Sequence, residues 1–348
     1  MHAASPDPLV TVVVPVLDGE RHLRESLDSI LAQTYPRLEV IVMDDGSTDG
    51  TPEIVASYGD RVELVRQPER RGIYGNANDG IARARGELIG VFHADDVYLP
   101  ELVEREVAWL RAHPDAGAVF CCDVFVDGDG RELGRVSIPA DVRGGRPLPY
   151  ATVVNALLTH RNTFLRCPTA LVRASLYREL GGYRDAEFKN TSDLEMWLRI
   201  ARSRPLGVLE DHLLLYRRGH GSSSERYHGA RTDPDRFFAI MDLELAGPAA
   251  GVATPAARRA YEAHRAQDTV WLAGSHYILG DREAARRTLR ELRLRRLLAS
   301  RSVERGRLAV LAVALRVLSR LPRLSAAARL LSRRRLVRAG TPNLAGQR

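Results

Sequence analysis

Residues 38–47, Leu-Glu-Val-Ile-Val-Met-Asp-Asp-Gly-Ser, and residues 87–96, Glu-Leu-Ile-Gly-Val-Phe-His-Ala-Asp-Asp, share one design. Each is a short apolar run that closes on acids. An apolar run of that length, bounded by turn residues, reads as a buried strand. In an open α/β sheet, ligands bind in the crevice beyond the carboxyl ends of the strands. Acids at two such ends therefore meet in one cleft, although about fifty positions separate Asp45 from Asp95. Hard oxygen ligands in a cleft of this kind suit Mg²⁺ or Mn²⁺ holding a diphosphate.

Working outward, Val10–Val16, Leu38–Met43, Val62–Arg66, Leu88–Phe92 and Ala118–Val126 read as strands, with helical stretches near 19–32, 52–58, 76–85 and 101–112. Thr51 and Pro52 offer an N-cap and a first helical position. The alternation predicts an α/β fold with a doubly wound, mostly parallel sheet. Residues 127–150, rich in Gly, Asp, Arg and Pro, read as a loop or short hairpin. Residues 256–300 read as a helical hairpin turning at Gly280-Asp281, and about 305–338 as an amphipathic basic tail. The hairpin resembles one tetratricopeptide unit, but one unit is not an array, because such repeats need neighbours to bury their faces.

With 348 residues, 45% of them apolar and 27% charged, the chain can bury a full core. Residues 281–348 hold 19 arginines against four acids, a net of +15, so the remainder carries −8 of the overall +7. A basic end on an acidic body implies an anionic partner for that end. Leu308–Leu315, an apolar stretch between Arg307 and Arg316, is compatible with an anionic membrane surface or with a helix packed on the body. No nucleic-acid module or base-stacking aromatic accompanies the arginines, so nucleic acid is not an expected partner. Cys121, Cys122 and Cys167 form neither a disulfide framework nor a metal-ligand spacing and are expected as buried free thiols. Met1–Pro8 has no secretory pattern and is expected to be flexible. With no run near the ~20 apolar residues of a membrane span, the expectation is a cytoplasmic protein, peripheral at the inner face of the membrane if the tail binds there.

Several segments carry a family resemblance. They are Val12-Val13-Val14-Pro15-Val16, Gln33-Thr34-Tyr35-Pro36, Asp44-Asp45-Gly46-Ser47-Thr48-Asp49-Gly50-Thr51 and Arg71-Gly72-Ile73. Asn76-Ala77-Asn78-Asp79-Gly80-Ile81, Ala84-Arg85-Gly86-Glu87, Ala94-Asp95-Asp96 and Thr191-Ser192-Asp193-Leu194-Glu195-Met196-Trp197-Leu198-Arg199 follow in order. Over about residues 9–225 the chain resembles a family 2 glycosyltransferase. The resemblance implies a GT-A domain over 9–229, with a helical basic region over 230–348. It also implies inverting, metal-dependent transfer from a UDP-, GDP- or dTDP-linked sugar. The acceptor implied is a saccharide or lipid-linked intermediate of cell-surface polysaccharide assembly.

The same resemblance assigns roles. Asp96 would hold Mg²⁺ or Mn²⁺ and Asp95 the ribose or the metal's waters. Asp45 would accept from the nucleobase, and Pro15 and Asp18 would border the nucleotide sugar. Arg71, or its neighbour Arg70, would meet the diphosphate, and His220 would lie on a flap over it. Asp193 would be the base that takes the acceptor's proton. Chemistry alone leaves other readings open. Asp44-Asp45-Gly46 is also a way out of a strand, and Ser192 with Glu195 makes a capping box that would place Asp193 in a first helical turn. Trp197 and Leu198 are expected in the core. His93 stands where many members carry a further acid, as a ligand, a ribose contact or a strand-end residue. Two rivals follow. A sugar nucleotidyltransferase lacks support, since the first strand is not followed by a Gly- and Lys-rich loop and Lys189 is the chain's one lysine. A non-catalytic nucleotide-binding relative has only His93 in its favour.

Overall fold

The structure, a computed structural model, describes residues 7–219, 231–292 and 305–320. The chain divides into two compact units, residues 1–156 with 162–220 and residues 157–161 with 221–348. In the first, helices flank one sheet of nine strands. These are β1 (Val10–Val16), β2 (Leu38–Asp44), β3 (Glu63–Arg66), β4 (Leu88–Val91), β5 (Val97–Tyr98), β6 (Ala118–Val126), β7 (Glu132–Arg135), β8 (Leu171–Arg173) and β9 (Leu206–Arg217). Their order is β3-β2-β1-β4-β8-β6-β9-β5, with β7 on β6.

The four strands β1 to β4 pair in parallel, and every residue of β1 is buried, as strands covered on both faces must be. β8 runs antiparallel to both β4 and β6, and β9 pairs in parallel with β6, so the sheet is mixed. By the same pairings, β6 and β9 point the same way as β1, β2 and β4. Their carboxyl ends, at Val126 and Arg217, therefore share one edge with Asp44 and Val91.

Pro15 shows how the crevice opens at that edge. The Val13 carbonyl accepts from Phe92 N at 2.9 Å, and the β1–β4 pairing goes no further. Pro15, two residues on, faces the same side, so its missing N–H falls where β4 has turned away. Helix α3 (Gly72–Arg83) packs on β1 so closely that a Cβ at Gly80 would lie 2.4 Å from Val13 Cγ1. The other helices here are α1 (Leu23–Leu31), α2 (Thr51–Ala56), α4 (Leu102–Ala112), α5 (Tyr150–His160), α6 (Ala174–Leu180), α7 (Asp185–Phe188) and α8 (Ser192–Ser203). Thr51 is the first residue of α2, not its cap, because its hydroxyl accepts Gly19 N at 2.8 Å. Of the segment expected to be flexible, residues 1–6 lie outside the described residues, while the Pro8 carbonyl accepts the Tyr35 hydroxyl at 2.5 Å.

The second unit is helical: α9 (Arg236–Ala246), α10 (Pro255–Leu279), α11 (Arg282–Glu291) and α12 (Arg305–Leu318). Thr254 caps α10 and Pro255 opens it. Gly280, at φ +97°, ends α10 in the left-handed conformation that glycine supplies without strain. Asp281 then caps α11 through Ala284 N at 2.8 Å. The two helices and α12 share a core of Val270, Ala273, Tyr277, Ala285, Leu289, Leu308, Ala312 and Leu315. Arg316 closes the end of α11, donating to the Leu289 and Leu292 carbonyls at 3.0 Å each. Leu157–Arg161 belongs here rather than with its sequence neighbours, since the Thr159 carbonyl pairs with His264 Nε2 at 2.9 Å and Arg161 pairs with Asp235. The rest of the expected hairpin and tail, 293–300 and 321–338, lies outside the described residues.

Candidate functional site

After β4 the chain turns through His93-Ala94-Asp95-Asp96 into β5. The ligand atoms of His93, Asp95 and Asp96 all lie within 4.8 Å of one another. Asp96 is 1% exposed, and its Oδ1 accepts Arg217 N at 2.8 Å. Its Oδ2 has no hydrogen-bond partner and sits 3.4 Å from His93 Nδ1. A buried carboxylate oxygen left open between an imidazole nitrogen and a second carboxylate fits a divalent cation. Electrostatics agree. Burial, with the Asp95 charge, pushes Asp96 up to about 6 while His93 pulls it back. Burial alone would lower His93, but the Asp96 carboxylate holds it well above an ordinary imidazole. A positive charge beside Asp96 is thus favoured where a cation would sit.

Two devices hold this turn. The Ser26 hydroxyl donates to the His93 carbonyl at 3.0 Å, and the Tyr98 hydroxyl accepts His93 N at 2.5 Å. Arg217, buried at the end of β9, donates through Nε to the Asp95 carbonyl at 2.9 Å, through Nη1 to Gly128 O at 3.0 Å and through Nη2 to Glu25 Oε2 at 2.6 Å. No sequence motif singles out Arg217. Among 51 basic side chains, 50 of them arginine, one more carries no signal.

At the end of β2, the two neighbouring acids differ. Asp44 is fully buried and committed to structure: Oδ1 accepts Ser47 N at 2.8 Å and Oδ2 pairs with Arg66 Nε at 2.9 Å. Asp45 receives Arg71 N at 2.6 Å and Gly72 N at 3.0 Å, so its carboxylate caps the amino end of α3 from another element. A carboxylate has about four lone-pair sites, which leaves acceptor capacity for a nucleobase N–H. Asp18, in the left-handed region at φ +50°, accepts Thr48 N at 2.8 Å while its own N–H goes to Ser47 Oγ at 2.8 Å. The Arg71 guanidinium turns away to Asp79 at 3.0 Å, whereas Arg70 lies 4.0 Å from Asp18. His220 lies outside the described residues.

Asp193 opens α8 in a setting that is not the expected capping box. The N-cap is Thr191, without a side-chain cap bond, and the Ser192 hydroxyl donates back to Lys189 O at 2.5 Å. Glu195 is buried against Arg199 at 2.9 Å instead of reaching back to the helix start. Burial raises the Asp193 carboxyl above the ordinary carboxylate value, against the Leu194 N–H, the Tyr74 hydroxyl and the His93 charge, which pull it down. That direction suits a base working near neutral pH. Trp197 and Leu198 are fully buried. Cys167, a buried thiol, adds a contact that the sequence did not signal: its sulfur lies 3.8 Å from the Tyr183 hydroxyl.

The mixed sheet flanked by helices, with acids at its strand ends, is a GT-A fold. Residues 11–181 match the family described as Glycosyl transferase family 2, and the chain belongs to that family. It is 34% identical over 197 residues to "Putative glycosyltransferase EpsE" of Bacillus subtilis, covering 55% of this chain and 66% of that one. An uncharacterized glycosyltransferase of Rickettsia typhi is 29% identical over 238 residues, 68% of this chain and 70% of its own. A longer Rickettsia felis relative is matched over only 35% of its length. Among solved structures, S. aureus TarS 1–349 with UDP-GlcNAc superposes with a TM-score of 0.55 at 18% identity, covering 89% of each chain. Its complex with UDP gives 0.54 at 19% identity, covering 89% and 88%. At that identity the likeness is one of fold.

Proposed function

We propose that the protein is an inverting glycosyltransferase that moves a sugar from a nucleoside-diphosphate donor to a hydroxyl of a saccharide or lipid-linked acceptor. One observation carries this reading: the ligand atoms of His93, Asp95 and Asp96 lie within 4.8 Å of one another at the strand ends, and a buried oxygen of Asp96 is left open among them. His93, Asp95 and Asp96 would hold Mg²⁺ or Mn²⁺. When bound, such an ion supplies positive charge to the departing diphosphate. Asp45 and Asp18 border the nucleotide. Asp193 takes the proton of the acceptor hydroxyl as that oxygen forms its bond to the anomeric carbon. The anomeric C–O bond breaks on the opposite face, and its electron pair leaves with the diphosphate, which inverts the configuration.

The test is thermal unfolding of the full chain with UDP, GDP, dTDP or CMP, each with and without Mn²⁺. TarS is seen with UDP and UDP-GlcNAc, so uridine nucleotides come first. A ligand at 100 times its Kd adds about 2.7 kcal/mol of stability, a visible shift. A shift that needs both nucleotide and Mn²⁺ and is lost in Asp96→Ala is the expected result. No shift with any nucleotide would favour a non-catalytic relative.

The second unit supports a membrane-facing acceptor. Along α12, Val310, Val313 and Val317 are 70%, 50% and 50% exposed, on the face away from Leu308, Ala312 and Leu315. This stripe lies within the segment that carries +15, and a basic helix with an apolar outer face suits an anionic lipid surface. No helix among the described residues is long and apolar enough to cross a membrane.

A further inference from the structure

The turn between β4 and β5 offers one nitrogen among its oxygens. His93 Nδ1 faces Asp96 Oδ2 at 3.4 Å, and both lie within 4.8 Å of a carboxylate oxygen of Asp95. Two donors held by one transition-metal ion at about 2.1 Å stand roughly 3.0 to 3.4 Å apart, from an octahedral to a tetrahedral angle. The His93–Asp96 spacing matches that separation. The backbone that carries the imidazole is held on both sides, by the Ser26 hydroxyl at its carbonyl and the Tyr98 hydroxyl at its N–H. The Tyr98 ring is fixed in turn by stacking on Phe92, with centroids 4.1 Å apart.

Two features of this set bear on the ion it takes. The first is the kind of donor. Hard cations are held by oxygen, and their affinity rises with the number of charged ligands. A neutral imidazole adds no charge, but its nitrogen suits transition metals, whose affinities climb from Mn²⁺ through Co²⁺. The second is depth. The Asp96 side chain is 1% exposed and its Oδ2 has no hydrogen-bond partner, so an ion reaches that oxygen only by giving up a water. Direct bonding to His93 as well costs it a second water. Mg²⁺ dehydrates reluctantly and keeps several waters when it binds protein. Both features work against Mg²⁺.

Resting on the metal-dependent glycosyltransferase reading, we propose that His93 is a direct metal ligand through Nδ1 and makes the site select first-row transition metals over Mg²⁺. An acid at position 93 would give three carboxylates and a site that accepts Mg²⁺ well. The one competing use of the His93–Asp96 contact is a closed ion pair that takes no metal.

The test uses the full chain freed of metal by a chelator, and reads binding of the metal alone, without turnover. Free Mn²⁺ is followed by its EPR signal. The parent should bind Mn²⁺ at a site that D96N lacks. Co²⁺ should displace that ion at equal or lower concentration, and Mg²⁺ only at about 100-fold excess or more. In H93D the excess of Mg²⁺ required should fall about tenfold or more. Should H93D not fold, pulsed EPR of the Mn²⁺-loaded parent decides by itself, since a directly bound imidazole nitrogen leaves its own modulation. The proposal is overturned if Mg²⁺ displaces Mn²⁺ from the parent at comparable concentration, if H93D ranks the ions as the parent does, or if the ion at the D96N-sensitive site has no bound nitrogen. It is equally overturned if the parent binds no Mn²⁺ there, which would leave His93 and Asp96 as an ion pair. Failure of the glycosyltransferase reading shows separately, as absence of any nucleotide-dependent melting shift whichever ion is present.

Discussion

Half-buried Asp193 and buried Asp96 both have carboxyls raised above the ordinary value, yet different uses are proposed for them. Asp193 must be ionised to take a proton, so activity should fall as pH drops, with a midpoint above the ordinary 3.8. Replacing it with Asn should cut turnover by about 10² or more while nucleotide affinity stays within a few-fold, since a positioned base contributes about that much. Equal loss of nucleotide binding and folding stability would instead make Asp193 a structural residue of α8. Both acids were legible because they sit in motifs. Arg217 and Tyr74 were not, because each meets the site through folding of a distant segment and has no local pattern of its own. Arg217 carries a prediction too. R217K keeps the charge but cannot span Asp95 O, Gly128 O and Glu25 with one nitrogen, so Mn²⁺-dependent nucleotide stabilisation should weaken.

Helix α4 holds a carboxylate which, among the described residues, is the one with both oxygens buried and unpartnered. Glu106 is fully buried, and neither carboxylate oxygen has a partner. Burial raises its carboxyl well above the ordinary value of 4.5. The folded chain therefore keeps this proton while the unfolded chain loses it above pH 4.5. The sign follows: stability contributed by the neutral group is complete below the unfolded value and declines as pH rises, by about 1.4 kcal/mol per unit until the folded group ionises. Glu106→Met should remove that slope and raise the melting temperature at pH 7 to 8. An unchanged slope would mean that Glu106 is already ionised in the fold. At this scale the sequence was read well where apolar runs are unbroken, as in β1, β2, β4 and β6. It was silent on β8, three residues long, and on β9. There Glu210-Asp211-His212 interrupts the apolar run where the pairing with β6 shifts register, so the period-two signal is lost. At the start of α8 the capping-box pattern misled because Arg199, four residues along the helix, draws Glu195 away.

Across the whole molecule, charge is divided between an acidic body and a basic end. If the outer face of α12 meets lipid, the full chain should sediment with vesicles containing anionic phosphatidylglycerol and not with neutral phosphatidylcholine. Binding should weaken with salt, because exposed charges are screened within about 10 Å at 0.1 M. Replacing Val310, Val313 and Val317 with Ser should reduce the bound fraction several-fold without lowering the melting temperature, since all three face outward. Sedimentation of the triple variant equal to the parent's would rule this face out. Length and composition implied the change of character near residue 230. They could not show that Leu157–Arg161 joins the helical unit, because that membership rests on bonds such as Thr159 to His264, between residues over a hundred apart.

The order of the nine strands has one more consequence. Among the described residues the sheet's edges are β3, four residues bracketed by Glu63 and Arg66, β5, only two residues long, and β7, four residues bracketed by Glu132 and Arg135. Exposed strand edges are templates on which other chains can add strands, and short or charged ones resist it. The broad sheet that builds the cleft therefore closes without a sticky margin. The protein should remain dispersed at high concentration, where a flat apolar edge would seed aggregation.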